Sequence, residues 1–420
     1  MLTQAPKGTR DMLPQDAYLW QWIEQKEREA AALAGYREIR TPVFEHTELF
    51  LRGVGDTTDV VQKEMYTFED KGHRSITLKP EGTAGVVRAL IEAHSFSETL
   101  PVKVFYASCP CFRYEKPQSG RLRQFHQNGI EVFGAADASV DAEVIQLALR
   151  LLEANNIHNL RLNINSIGCP ECRKLYHEKL RTYLKPKLAT LCQTCRDRFD
   201  RNPLRILDCK EDAEKLSDAP SMLENLCEDC ARHFDELKKY LEALNLPYSI
   251  DSHIVRGLDY YTRTVFEIIT DTKNGPLTVC GGGRYDGLVE ELGGPATPGI
   301  GFGMGIERMI MIQEQQQTLP KEPLLYDVFV ATRGERARLE ATRIVSALRS
   351  KGIKADMDHA ARSMKSQLKY ANKVHTPTVV IIGEDELAKN AFTVRNMLSS
   401  EQTDIARDEL IDALVKKIQG

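Results

Sequence analysis

Arginines, glycines and tyrosines recur in three segments whose spacing suits one kind of chemistry. Phe112-Arg113-Tyr114-Glu115 precedes a loop with Lys116, Gln118, Arg121 and Arg123, and then Phe125-His126-Gln127. A strand, a basic loop and a returning strand would project Arg113 and Arg121 toward one point, where guanidinium groups bind phosphate oxygens bidentately. Phe125 offers an aromatic face for a base. The second segment, Gly299-Ile-Gly-Phe-Gly-Met-Gly305, runs into Glu307 and Arg308. Glycine at every second position strips one strand face of side chains, for a flat ligand or for a closely packed neighbour. The third pairs Arg256-Gly-Leu-Asp-Tyr-Tyr261 with Cys280-Gly-Gly-Gly-Arg-Tyr285-Asp286, a cation and phenols suited to a small polar ligand. Each segment alone also has a plain structural reading: a salt-bridged hairpin, packing glycines, core tyrosines. No Walker A sequence occurs and the glycine run does not fit G-x-G-x-x-G, so phosphate binding would rest on arginines.

These residues need elements to position them. Residues 14–36 have helical apolar spacing with Gly35 as a stop, and 37–44 reads as a strand. Alternating stretches at 65–68, 75–79, 102–108, 112–115 and 125–133 predict antiparallel strands, with a helix at 84–95 among them. A helix at 141–155 and a strand at 160–167 follow. Residues 169–245 are charged, helical and poor in strand patterns, and read as an insertion. Strands resume at 248–250, 264–269 and 277–280, before the glycine-dense 281–305 and a helix from Ile306 to about Glu314. The polar stretch 315–324 carries two prolines and reads as a linker. Beyond it, strands at 327–331, 353–356 and 378–382 alternate with helices at 333–350, 361–373 and 404–418. That order predicts a small α/β domain with a mostly parallel sheet.

The 420 residues, 42% hydrophobic and 28% charged, suggest two or three domains and exclude a disordered chain. No apolar run approaches the roughly 18 residues of a membrane span. The opening MLTQAPKGTRDMLP lacks the apolar core of a signal peptide, so a cytoplasmic protein is expected. A net charge of −4 excludes a wholesale basic nucleic-acid binder, yet residues 331–373 hold 11 Lys and Arg against 4 Asp and Glu.

Seven of the ten cysteines crowd into 169–230, as Cys169-x-x-Cys172, Cys192-x-x-Cys195, the single Cys209 and Cys227-x-x-Cys230. Such pairs in a leaderless chain point to thiols or metal ligands over disulfides. Two pairs would make a closed tetrahedral zinc site, stapling an insertion with a small core. Spacing leaves open which two pairs serve and whether Cys209 does. Reduced thiols without metal are the alternative.

Together the segments resemble the class II aminoacyl-tRNA synthetases, with a motif 1-like Thr41-Pro42 segment, a motif 2 hairpin at 112–127 and motif 3 at 301–308. More narrowly, GTRDMLP (8–14), LKPEGTAG (78–85), EKPQSGRLRQFHQ (115–127), RGLDYYTRTVFE (256–267) and GGGRYDGL (281–288) resemble the bacterial histidyl-tRNA synthetase family. The resemblance spans essentially the whole chain. It implies an α+β architecture: a catalytic domain in two segments, 1–168 and 246–318, with a mixed, mainly antiparallel sheet. A helical, cysteine-rich insertion at 169–245, a linker at 319–324 and an α/β anticodon-binding domain at 325–420 complete it.

The resemblance further implies ATP-dependent ligation of L-histidine to tRNA(His) through histidyl-adenylate, releasing AMP and pyrophosphate, with Mg²⁺ accompanying ATP. Arg113 would hold the α-phosphate and Arg256 stand on its opposite side, the two expected catalytic cations. Arg121 and Arg308 would take the distal phosphates, and Glu115 and Phe125 the adenine. Glu81, Gly82, Thr83 and Gln127 would bind histidine around its α-ammonium group. Glu131 and Tyr261 would recognise the imidazole, with Tyr260 and Tyr285 lining the pocket. A carboxylate on one ring nitrogen and a phenol on the other exclude apolar competitors. A homodimer with motif 1 at its interface is implied likewise, and an insertion lying against the tRNA acceptor arm. The basic 331–373 stretch would meet the RNA backbone, with anticodon bases read by stacking and edge contacts. Arg362-Ser-Met-Lys-Ser366 resembles a class I lysine loop, but the HIGH-like motif that class I needs is absent. The rival reading is the non-catalytic paralogue that serves as regulatory subunit of ATP phosphoribosyltransferase. That paralogue typically lacks the anticodon domain and several motif residues, whereas this chain keeps Arg113, Gln127, Arg256 and Arg308 and about a hundred residues after the linker.

Overall fold

The computed structural model describes residues 3–55, 58–97, 99–118, 120–207, 209, 211–254, 257–273 and 275–419. Arg256, one of the two expected catalytic cations, lies outside the described residues. The chain divides into two compact units, Met1–Pro320 and Lys321–Gly420.

In the first unit eight strands form one sheet, in the spatial order Arg37–Glu38, Val102–Phe112, Gln124–Phe133, Gly299–Gly305, Gly275–Arg284, Thr262–Thr272, Leu160–Ser166 and Ser249–Ile250. The inner strands pair antiparallel and the two short edge strands pair parallel, giving the mixed, mainly antiparallel sheet that the sequence leads one to expect. Side chains alternate between faces along each strand. Ile130 and Val132 therefore join Ile300, Phe302 and Met304 in a core with helices Pro14–Leu33, Ala138–Ala154 and Ile306–Gln316. Phe125, Gln127, Gly129, Glu131 and Phe133 face the other way, and register pairs Glu131 with Gly301 and Gln127 with Gly305.

A bulge between Tyr106 and Cys109 breaks the alternation of Val102–Phe112. Ser108 takes φ 51° there and its amide donates to Asn128 Oδ1 at 2.8 Å. The extra residue shifts the side-chain phase by one, so Val104, Tyr106, Cys109 and Cys111 all lie in the core on the Glu131 side. Helices Pro14–Leu33, Ala138–Ala154 and Ile306–Gln316 cover one face of the sheet; helix Thr83–Glu92 packs on part of the other, which carries Glu131.

The expected strand at 37–44 is two strands in two sheets. Arg37–Glu38 edges the large sheet, whereas Phe44–His46 pairs with Ser75–Leu78 in a three-stranded sheet, with Thr41-Pro42 between them. The strand expected at 277–280 continues through the glycines to Arg284. A Cβ on Gly282 would lie 2.7 Å from Phe302 and 2.8 Å from the Phe266 ring, so glycine there admits two core aromatics.

Residues 169–245 carry helices Pro170–Leu184, Gln193–Arg198 and Glu228–Ala243. Tyr176, Leu180, Leu184, Leu191 and Ile206 make a small core of their own. The last helix serves two cores: Cys230 joins the small one, and Phe234, Leu237 and Leu241 enter the main one.

Arg284, within the glycine-rich motif, is fully buried. It donates to Asp141 Oδ1 at 2.8 Å, Asp286 Oδ1 at 2.9 Å and the Ala135 carbonyl at 2.9 Å. Asp141 Oδ2 also meets His233 Nε2 at 2.8 Å, so one carboxylate ties a strand to two helices. Arg284→Met would leave Asp141 buried without its guanidinium. The expected cost is about 3–5 kcal/mol, seen as lowered thermal stability. A change within about 0.5 kcal/mol would show that this cluster does not hold the fold.

The second unit has a five-stranded sheet in the order Ala355–Met357, Val328–Thr332, Thr378–Ile382, Ala391–Asn396, Gln402–Ala406, the first three parallel and the last two antiparallel. The antiparallel hairpin replaces the start of the helix expected at 404–418, which begins at Leu410. Gln402–Ala406 is an edge strand of mostly exposed polar residues, so it carries no core pattern to read. Of the 11 basic residues in 331–373, all but Arg362 are exposed. Arg362 pairs with Asp358 while Ser363 caps helix Met364–Lys373, a structural account of the lysine-loop look-alike.

Candidate active site

Glu131 stands on the sheet face opposite the main core and is 1% exposed. Thr83 Oγ1 at 2.8 Å and the Tyr106 hydroxyl at 3.2 Å donate to Oε1, and the Tyr285 hydroxyl donates to Oε2. Burial still pushes the carboxyl up to about 8, outweighing these hydroxyls. Glu81 is buried beside it, accepting from the amides of Thr83 at 2.7 Å and Ala84 at 2.8 Å where helix Thr83–Glu92 begins. Those bonds satisfy open helix N–H groups, yet burial raises this carboxyl too. Among the described residues no lysine or arginine salt-bridges either carboxyl. The pocket therefore favours a ligand that brings positive charge and N–H donors.

Tyr260, Tyr261 and Tyr285 wall the pocket, with ring centroids 4.8 Å apart for the first two and 5.5 Å for Tyr260 and Tyr285. Burial holds the Tyr260 and Tyr285 phenols well above their ordinary range, so both remain O–H donors. The glycine strand answers both readings of its pattern. A Cβ on Gly301 would collide with Glu131, and one on Gly299 would lie 2.5 Å from the Tyr285 ring. On Gly303 and Gly305 it would stand 3.6 Å from Gln127 and 3.8 Å from Arg308, ordinary contact distances. Half of the strand thus admits close neighbours and half leaves its backbone accessible. Tyr106 is the pocket residue that sequence reasoning misses. Its ring closes over Gly82 and Gly129, where a Cβ would clash with it, and the cross-strand pairing that sets Tyr106 opposite Gly129 has no local signature.

The hairpin supplies the cations. Arg113 Nε donates to the Pro80 carbonyl at 2.9 Å, and its guanidinium lies 5.6 Å from the Phe125 ring centroid. Arg308 donates to the carbonyls of Gly120 at 3.2 Å and Thr278 at 3.0 Å, joining hairpin loop to sheet. Arg121, at the open rim, lies 3.6 Å from Glu115. Gln127 Oε1 accepts from the Cys111 thiol at 3.3 Å. Glu64, which the sequence does not single out, adds a carboxyl raised by burial although Arg113 acts to lower it. Other motif residues position the hairpin: the Gly8 carbonyl accepts from the Arg123 amide at 2.7 Å, and Glu307 takes the His126 ring nitrogen at 2.8 Å.

The insertion reaches the loops beside this face. Arg198 and Arg205 both pair with Asp59, and Arg205 also donates to the Gly257 carbonyl at 3.2 Å. Asn202 donates to Asp259 Oδ1 at 2.8 Å, and Arg173 to the Asp259 carbonyl at 3.2 Å. Gly257 adjoins Arg256 in the chain.

The cysteines fall into two groups. Cys169, Cys172, Cys227 and Cys230 bring their thiols within 4.8 Å of one another. Cys192 and Cys195 meet Cys209 and Asp212 within the same 4.8 Å limit.

Two family models match the chain, one described as histidyl-tRNA synthetase over residues 8–309 and one as anticodon binding domain over 327–417. A curated histidine--tRNA ligase of Clostridium perfringens is 54% identical over 411 residues, 97% of this chain and 98% of that one. One of Alkaliphilus oremlandii is 56% identical over 407 residues, 96% of each. The crystal structure of apo S. aureus histidyl-tRNA synthetase matches with a TM-score of 0.84 at 39% identity, covering 98% of this chain and 99% of that one.

Proposed function

The chain belongs to the histidyl-tRNA synthetase family, and from that premise we propose that the Glu131 pocket and the arginine hairpin beside it form its histidyl-adenylate site. The protein is a class II ligase that joins L-histidine to tRNA(His) at the expense of ATP. The observation carrying the site assignment is the buried Glu131, its pKa raised to about 8 and ringed by Thr83, Tyr106 and Tyr285 hydroxyls.

Glu131 accepts an imidazole N–H and a phenol, Tyr261, serves the other ring nitrogen. Glu81 faces the α-ammonium group, with Gly82, Thr83 and Gln127 around it and Tyr260 and Tyr285 closing the walls. The substrate carboxylate then attacks the α-phosphorus in line, and the bond to pyrophosphate breaks. Negative charge grows on the phosphoryl oxygens, where Arg113 and Arg256 offset it. Arg121 and Arg308 take the departing phosphates, and Phe125 and Glu115 the adenine. In the second step a ribose hydroxyl of the tRNA 3′-terminal adenosine attacks the acyl carbon and AMP leaves.

ATP is accompanied by Mg²⁺ in synthetases generally. Glu64, a carboxyl among these arginines, suits a hard cation held mainly by phosphate oxygens, which would offset the triphosphate charge. Cys169, Cys172, Cys227 and Cys230 suit a structural zinc ion. Cys169 and Cys172 Sγ lie 3.6 Å apart, near the roughly 3.8 Å edge of a tetrahedron with Zn–S of about 2.3 Å. The exposed basic side chains between 331 and 373 fit an RNA backbone. Exposed Val43 and Phe44, beside Thr41-Pro42, support a homodimer joined there. Among the described residues no helix is long and apolar enough to cross a membrane. The regulatory paralogue is disfavoured, because this chain keeps Arg113, Gln127, Arg308 and a matched anticodon domain.

The test is exchange of pyrophosphate into ATP by the folded chain with Mg²⁺, amino acid by amino acid. Exchange with histidine alone is expected. A folded chain giving no exchange with histidine would sink this reading and favour the regulatory one.

A further inference from the structure

We propose that Cys192, Cys195, Cys209 and Asp212 hold a second metal ion, a thiolate-preferring divalent cation of the zinc class, which anchors the arm reaching the active-site loops. The site is separate from the four-thiol cluster and shares none of its residues. Cys192 and Cys209 Sγ lie 3.8 Å apart, and Cys209 Sγ lies 3.9 Å from Asp212 Oδ2. A disulfide would need about 2.05 Å. Co-ligands at about 2.3 Å from one zinc ion stand roughly 3.8 Å apart, so this spacing is that of co-ligands.

The chain pattern agrees. Cys192-x-x-Cys195 and Cys209-x-x-Asp212 repeat the two-residue gap of the four-thiol cluster, with a carboxylate in the last place. Cys195 and Asp212 are fully buried. Lys215 occupies Asp212 Oδ1 at 2.7 Å, while Oδ2 takes the Cys192 amide at 2.8 Å and turns toward the thiols. A buried carboxylate facing three thiols gains from a cation at their centre. The surrounding segment also needs a staple. Between Leu188 and Leu216 the only regular elements among the described residues are the six-residue helix Gln193–Arg198 and short 3₁₀ turns.

The consequence for function lies between the two ligand pairs. Arg198, Asn202 and Arg205 stand there, and they hold Asp59, Asp259 and the Gly257 carbonyl. A metal that closes this segment at both ends fixes those three side chains against the loop next to Arg256.

Metal analysis of the purified full chain, dialysed against metal-free buffer, should return two zinc ions per chain. Cys209→Ser and Asp212→Ala should each return one. One ion in the unaltered chain, or two in both variants, would overturn the proposal. Cobalt titration of the metal-stripped chain guards against a variant that misfolds: thiolate-to-cobalt absorbance should saturate at two equivalents, and saturation at one would overturn it. Limited proteolysis tests the anchoring. Cys209→Ser should be cut between 196 and 208 at least tenfold faster, and an unchanged rate would refute that role. None of these readouts uses histidine, ATP or tRNA, so they stand or fall apart from the adenylate-site reading.

Discussion

Arg113→Ala is expected to lower histidine-dependent pyrophosphate exchange by about 10²–10³-fold, the usual loss when one preorganised donor to a developing oxyanion is removed. Among the described residues the side chain donates to the Pro80 carbonyl and lies against Phe125, so the fold should survive its loss. Arg113 is not among the groups bonded to Glu131, and histidine binding measured without ATP should stay within about threefold. Arg113→Lys keeps the charge but not the planar fork, and should recover only part of the rate. A rate within threefold of the unaltered chain would remove Arg113 from the phosphoryl site.

Glu131→Gln should separate recognition from stability. The folded carboxyl titrates near 8, against an ordinary value of 4.5. A carboxyl raised in the fold binds more protons folded than unfolded between those values, so stability falls as pH rises through that window. Its contribution is fully present below about pH 4.5, and a few kcal/mol are lost by pH 8. Glutamine does not titrate. The variant should match the parent near pH 4 and melt higher than it near pH 8 in the absence of ligand. The same change removes the charged acceptor for the imidazole, so KM for histidine should rise about 10²-fold while KM for ATP stays put. A melting difference that is flat from pH 5 to 8.5, or an unchanged histidine KM, would refute this role for Glu131.

Local periodicity and contiguous motifs carried much of this molecule. Phe125, Gln127 and Glu131 share a face because strand side chains alternate, and 124–133 alone shows it. Gly299–Gly305 announces a strand bare on one side, and the βα alternation after residue 324 announces the second unit. Those features are local, written within a few residues of one another. What the sequence could not determine is who meets whom across the chain. Tyr106 reaches Glu131 because strand pairing sets it opposite Gly129, next to the Val104–Glu131 pair on the same face. Thr83, read as a ligand group, donates to Glu131 from 48 positions away. Arg284, set in a glycine-rich motif that suggests a ligand, is enclosed with Asp141 and His233. The cysteine spacing allowed any two pairs, and the fold joined the first to the third. It gave the second pair Cys209 and an aspartate that no thiol count could have revealed. Each of these depends on strand register and on burial among distant segments. Only the folded chain brings such groups close enough for hydrogen bonding and desolvation to act.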